Sequence, residues 1–173
     1  MRRRLLVIAL PLALVGLVAA PASAKAKLSL QSPDFHAGGT IPQEFTCVGD
    51  STSPALVWSG VPKKTKEFAL TMEDPDTARG TFVHWVVFGI DRHTRRFDQG
   101  AVPEGVTQGA NGANSHMYLG PCPPTGEHRY IFTLYALSKR VKLDEAATID
   151  DLRAAIKGTV KAKVRLIGRF SRS

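Results

Sequence analysis

From Ser32 onward the chain is cut by turn-forming residues at short intervals, and this punctuation restricts the fold more than any other feature. Ser32-Pro33-Asp34, Gly38-Gly39, Gly49-Asp50-Ser51, Ser59-Gly60, Asp74-Pro75-Asp76, Gly109 to Gly112 and Pro121 to Gly126 each mark a reversal. The runs between them are short and either apolar or alternating, which suits strands and leaves little room for long helices. Candidate strands are Leu28 to Gln31, Ala55 to Trp58, Glu67 to Glu73, Phe82 to Ile90, His128 to Leu137 and Val160 to Phe170. A mainly β, antiparallel domain is expected.

The strands are not alike. "FVHWVVFGI" (Phe82 to Ile90) and His128 to Leu137 are apolar on both faces, as central strands are. The last strand alternates: Val160, Ala162, Val164, Leu166 and Phe170 against Lys161, Lys163, Arg165 and Arg169, a core face and a solvated basic one. One short helix is signalled by Thr148 as cap, Asp150 and Asp151 in the first turn, the stripe Ile149, Leu152 and Ile156, and Gly158 as stop. It is expected to pack on a sheet edge. Ala110 to Leu119 reads as a long loop, functional or flexible.

Residues 1–24 stand apart. Arg2, Arg3 and Arg4 precede an apolar run from Leu5 to Ala20, and Ala22-Ser23-Ala24 forms a small-x-small cleavage signal. This reads as a secretory leader, which makes the protein secreted or periplasmic, with no transmembrane segment in the mature chain. Residues 25–173 then form a single domain. Three of the 23 basic residues leave with the leader, so 20 face 15 acidic ones, a surplus of five. That surplus favours anionic ligands or membrane surfaces; no basic cluster interleaved with aromatics points to nucleic acid. Export also carries Cys47 and Cys122 to an oxidising compartment, where they form either a bridge or two small buried thiols; their spacing does not decide.

Side chains two apart on a strand share a face, so parity orients the polar residues. Asp74 continues the face of Phe68, Leu70 and Met72. His84 falls with Phe82, Val86 and Phe88, and His128 with Tyr130, Phe132 and Leu134. Ionisable groups on apolar faces must satisfy one another or line a pocket, since burying them unpartnered is costly. Histidines, loop N–H groups and Tyr130 suit a small anion such as phosphate, with the Asp74 and Asp76 carboxylates orienting the histidines and keeping them protonated. Two readings compete: each histidine is a satisfied core residue, or Asp74, His84 and His128 form a 2-His-carboxylate metal site. His36, His93 and His116 fall in surface loops. There is no G-x-S-x-G elbow, P-loop, H-E-x-x-H or dinucleotide fingerprint, so neither an enzymatic activity nor a cofactor is expected.

"SPALVWSGVP" (Ser53 to Pro62), "DPDTARGTFVHWVV" (Asp74 to Val87) and "GPCPPTGEHRYIFTLYAL" (Gly120 to Leu137) resemble, in order and spacing, the phosphatidylethanolamine-binding proteins, and more narrowly their bacterial and archaeal Raf-kinase-inhibitor-like branch. The likeness runs from about Leu28 to Arg172. It implies a large antiparallel sheet packed against a smaller sheet, with few short helices, and a small pocket for phosphate-like anions or phospholipid headgroups. Carried over by position, that pocket is lined by Asp74, Pro75, Asp76, His84, Gly120, Pro121, His128 and Tyr130, while Arg129 points to the opposite face. Cys47 and Cys122 fall in two loops that border the pocket in the family, which favours the bridge. Ala78 stands where the family has a proline, so a looser rim is expected, and the 110–119 loop lacks a customary aromatic. With no C-terminal helix after the last strand, a more open pocket is expected and kinase regulation does not carry over from eukaryotic members. The implied function is an exported, non-enzymatic binding protein. A protein-interaction module inhibiting a protease or kinase is the alternative, and a metal-assisted hydrolase the second.

Overall fold

The punctuated runs pair into two antiparallel sheets. In this computed structural model, which describes residues 27–172, the strands are β1 (Ser29–Gln31), β2 (Leu56–Ser59), β3 (Glu67–Asp74), β4 (Phe82–Asp91), β5 (Arg96–Phe97), β6 (Thr107–Gln108), β7 (Glu127–Leu137) and β8 (Val160–Ser171). Among the described residues one α-helix, α1 (Ile149–Ile156), precedes β8, and a 3₁₀ turn spans Gln43–Phe45. The small sheet has the order β1-β2-β5 and the large one β6-β4-β3-β7-β8. The expected architecture is therefore present. The leader read over residues 1–24 lies outside the described residues. The unforeseen strands β5 and β6 are two residues each, too short to imprint a period.

The strands that are apolar on both faces take interior places, β4 second and β7 fourth of five. Phe68, Leu70 and Met72 of β3, Trp85 of β4 and Phe132 of β7 meet Leu30, Leu56, Trp58 and Phe97 of the small sheet in the main core. The other face of the large sheet carries Ala69, Val86, Phe88 and Leu137, which Ile149, Leu152 and Ile156 cover. So α1 lies over the sheet face and not on its edge, because that second apolar face needs a cover. Thr148 caps it in a reciprocal pair: its hydroxyl accepts from the Asp151 N–H, and the Asp151 carboxylate accepts from the Thr148 N–H at 2.9 Å.

Strand β4 breaks regular pairing twice. Phe68 pairs with Ile90 but Leu70 with Val87, an extra residue accommodated at Gly89, whose φ of 74° a glycine adopts without strain. The Gly89 N–H donates to the buried Glu67 carboxylate at 3.3 Å. Further along, Met72 pairs with Trp85 and Glu73 with Val83, which leaves His84 without a partner. This second bulge builds one wall of the candidate site.

Candidate functional site

Strict alternation assigns His84 to the face of Val86 and Phe88, and the bulge overturns that. An extra residue lets two consecutive side chains turn to one side of the sheet. Trp85 enters the main core, His84 turns to the same side, and Val86 and Phe88 go under the helix. The His84 ring packs edge-on against Phe82 at 5.0 Å and Tyr130 at 5.2 Å between centroids. Leu119 holds the bulge at two points: its N–H donates to the His84 carbonyl at 3.1 Å, and its carbonyl accepts from His84 Nδ1–H at 2.7 Å. The histidine is 5% exposed. Burial pushes its pKa below the ordinary 6.5, outweighing the Leu119 bond and the nearby Asp74 charge. His84 is therefore a neutral imidazole at pH 7, held by a backbone carbonyl, whereas the sequence suggested a cation held by a carboxylate.

His128 is held differently. It lies at the start of β7, 8% exposed, and Nδ1 is 2.7 Å from Asp74 Oδ2 across the β3–β7 pair. A carboxylate offers only acceptors, so the hydrogen sits on Nδ1 and Nε2 is the free edge. The other Asp74 oxygen accepts the Asp76 N–H at 2.8 Å, closing the Asp-Pro-Asp turn. Asp76 faces away from this pair. Its carboxylate takes the Arg129 backbone N–H at 2.8 Å and the guanidinium Nε at 2.9 Å, and this pairing holds its pKa at about 2. Arg129 lies on the outward face, as its parity requires.

A clasp of two loops forms the opposite wall. Cys47 and Cys122 are joined by a disulfide that closes 75 residues of sequence. Beside it the Cys47 N–H donates to the Pro121 carbonyl at 3.1 Å, the Gly120 N–H to Ser51 Oγ at 2.9 Å, and the Tyr118 hydroxyl to the Phe45 carbonyl at 2.9 Å. Only glycine fits at position 120, where a Cβ would come within 2.6 Å of Ser51 Oγ and 2.9 Å of the Phe45 carbonyl oxygen. The long loop before it is ordered by buried Asn111, which accepts from the Ala113 and Ser115 N–H groups and donates to the Met117 carbonyl.

These walls enclose a cleft of about 320 Å³. Of the residues singled out in the sequence, Asp74, His84, Gly120 and His128 line it, together with both cysteines. Pro75, Asp76, Pro121 and Tyr130 do not. Tyr130 is fully buried behind His84, its hydroxyl close to Asp74 and the Cys122 backbone but without a hydrogen bond of normal geometry, and burial raises its pKa. Sequence reasoning missed Thr77, Phe82 and Leu119 as lining residues. Phe82 shares the parity of His84 and was within reach; Leu119 acts through backbone atoms, which no residue type announces. Among the described residues, no three His, Cys, Asp or Glu side chains are grouped to hold a metal ion, and no helix is long and apolar enough to cross a membrane.

Comparison with known proteins identifies the family and matches the fold. The family described as phosphatidylethanolamine-binding protein matches residues 31–171, and the chain belongs to that family. A UPF0098 protein of Methanothermobacter thermautotrophicus is 39% identical over 150 residues, covering 84% of this chain and 99% of its own length. A Mycobacterium tuberculosis protein named as a lipoprotein, LppC, is 39% identical over 152 residues, covering 87% and 75%. Among solved structures, the Chlamydia trachomatis homolog CT736 superposes with a TM-score of 0.83 at 33% identity, covering 86% of this chain and 99% of that one. Escherichia coli YbcL gives 0.80 at 27%, covering 86% and 100%.

Proposed function

We propose that this chain is an exported, non-enzymatic binding protein whose cleft takes a phosphate-like anion, free or as a phospholipid headgroup. The observation that carries this reading is the meeting of two buried imidazoles, His84 and His128, in one cleft of about 320 Å³. Its one lining carboxylate, Asp74, is already engaged by His128. The Asp74 carboxylate fixes the His128 ring through Nδ1 and leaves Nε2 as its free edge for a ligand. No lining residue is set up as a nucleophile: the Thr77 hydroxyl is spent on the Gly80 carbonyl, and both thiols are bridged. Export is supported by the basic, apolar and small-residue pattern of residues 1–24, by the paired cysteines and by the lipoprotein name of one relative.

Calorimetry of the parent, His84→Ala and His128→Ala with inorganic phosphate and phosphorylethanolamine tests the pocket. The parent binds and both variants lose affinity; equal affinities in all three remove it. A second reading, an interaction module, has one observation in its favour: Met117 is 58% exposed on the loop that Asn111 holds rigid. A partner recovered from exported proteins and lost on Met117→Asp supports that reading.

A further inference from the structure

The end of the sandwich away from the cleft gathers positive charge with little to balance it. The turn before β3 carries Lys63, Lys64 and Lys66, and the connection after β7 carries Lys139, Arg140 and Lys142, all exposed. The fold brings these segments together: the Lys66 N–H donates to the Leu137 carbonyl at 2.7 Å, and the Val141 N–H to the Glu67 carboxylate at 3.1 Å. Strand β8 begins alongside, with Val160 opposite Leu137. The whole length of β3 separates this end from Asp74. Among the described residues none of these cations is in an ion pair, whereas Arg96, Arg129, Arg153 and Arg169 each meet a carboxylate. Carboxylates here are few. Exposed Asp91 and Asp144 accept from the His93 and Ala146 N–H groups of their own turns, Glu145 follows Asp144, and Glu67 is buried.

Two apolar features open among the lysines. A groove of about 690 Å³ is lined by Leu28, Gly60, Val61, Pro62 and Ala162, with Lys27 and Lys63 beside them. Val160, 38% exposed, stands at the start of β8 next to Lys161. Lysine stems can lie along such apolar surface while their ammonium groups stay in water. Lys64 adds a sign of constraint, since its φ of 69° is a left-handed conformation that glycine adopts without steric cost. A lysine is kept where a glycine would be less strained.

We propose that this end docks on an anionic lipid bilayer, the lysines over the headgroups and Val160 and the groove mouth against the acyl boundary, with the cleft held away in solution. The docking stands whatever the cleft holds. Its charge complements a negative surface, and ammonium groups on flexible stems suit a fluid layer of headgroups, whereas a fixed carboxylate or phosphate is better matched by a guanidinium fork. No aromatic side chain is exposed among the described residues to stack on bases, which disfavours nucleic acid. The chain ahead of Lys27 also leaves from this end, because Lys27 lines the groove. That chain carries Arg2, Arg3 and Arg4 and the apolar run from Leu5 to Ala20, so a leader that delivers the protein to a membrane brings this end nearest to it.

The test is co-sedimentation of the whole mature chain with vesicles of phosphatidylcholine, alone or mixed with phosphatidylglycerol. Retention is expected on the mixed vesicles only, and is lost near 1 M salt, where the Debye length falls to about 3 Å. A parent protein that stays in solution with both kinds of vesicle overturns the proposal. Each basic residue close to such a surface contributes roughly fivefold to partitioning, so Lys63→Glu with Lys66→Glu should weaken it by at least about 25-fold. Arg79→Glu with Arg172→Glu makes the same change of charge at the cleft end and should leave retention standing. Equal losses in the two double variants reveal a response to net charge and sink the assigned surface. His84→Ala with His128→Ala should sediment as the parent does; loss of retention there places the contact at the cleft and contradicts the proposal. Lys64→Gly should lower partitioning roughly fivefold while the urea midpoint is no lower than the parent's, and unchanged partitioning removes Lys64 from the surface. Duplex DNA bound as tightly as the mixed vesicles at equal salt overturns the bilayer as the partner.

Discussion

The two walls of the cleft are built on opposite plans. His128 stands on regular strand β7 and is held by a side chain, Asp74, from the neighbouring strand of the same sheet. His84 stands on an irregular strand and is held by a backbone carbonyl from a loop that is itself clasped to another loop. The first arrangement places a charge partner behind the ring; the second places none and buries the ring as a neutral acceptor. Two identical side chains thus face one cleft with different chemistry, and the difference comes from what each Nδ1 touches.

Breaking the loop wall should have the largest effect. Replacing Cys47 and Cys122 by Ser opens a closure spanning 75 residues, and in the chain-entropy model this costs about 4 kcal/mol, read as a lower urea midpoint. Breaking the sheet wall comes next. Asp74→Ala leaves His128 buried without its partner, and removing one member of a buried pair costs about 3 kcal/mol. Gly120→Ala sharpens the distinction, because the added Cβ pushes the 119–122 loop off Ser51 and Phe45 and leaves the Asp74–His128 pair untouched. A loss of about 1–2 kcal/mol is expected by denaturant unfolding.

Acid separates the walls more gently. Above pH 6.5 His84 is neutral in both the folded and the unfolded chain and contributes no pH dependence. Below 6.5 the unfolded chain takes up a proton that the folded one refuses, so stability falls as pH drops from 6.5 toward the lowered folded pKa. His84→Gln should flatten that part of the stability–pH curve. The smallest effect belongs to Asp76, whose pairing with exposed Arg129 contributes stability that is present above pH 3.8 and fades as pH falls toward about 2. Asp76→Ala should barely move the neutral-pH midpoint, in contrast to Asp74→Ala on the same turn.

Much of this was legible in the sequence where a period of two holds unbroken. Asp74, His128 and Tyr130 lie on the faces that alternation assigns, and β8 presents Lys161, Lys163 and Arg165 to solvent as its pattern demands. Alternation fails for His84, since a bulge arises from pairing between strands and leaves no mark in either one. Asp76 was read toward the pocket because its turn is shared with Asp74, yet its fate was decided by Arg129, 53 positions away. Leu119 was invisible for a different reason: it acts through its carbonyl and N–H, which every residue but proline possesses. The meeting of Cys47 with Cys122 likewise depends on two loops brought together by strands far apart in the chain.

The most direct measurement is the protonation and tautomer of His84, observed through the imidazole nitrogens by NMR across pH. The account predicts a neutral ring at pH 6.5, with hydrogen on Nδ1 and a bare Nε2, that titrates only below that pH. A hydrogen on Nε2, or an imidazolium persisting above pH 6.5, would contradict it.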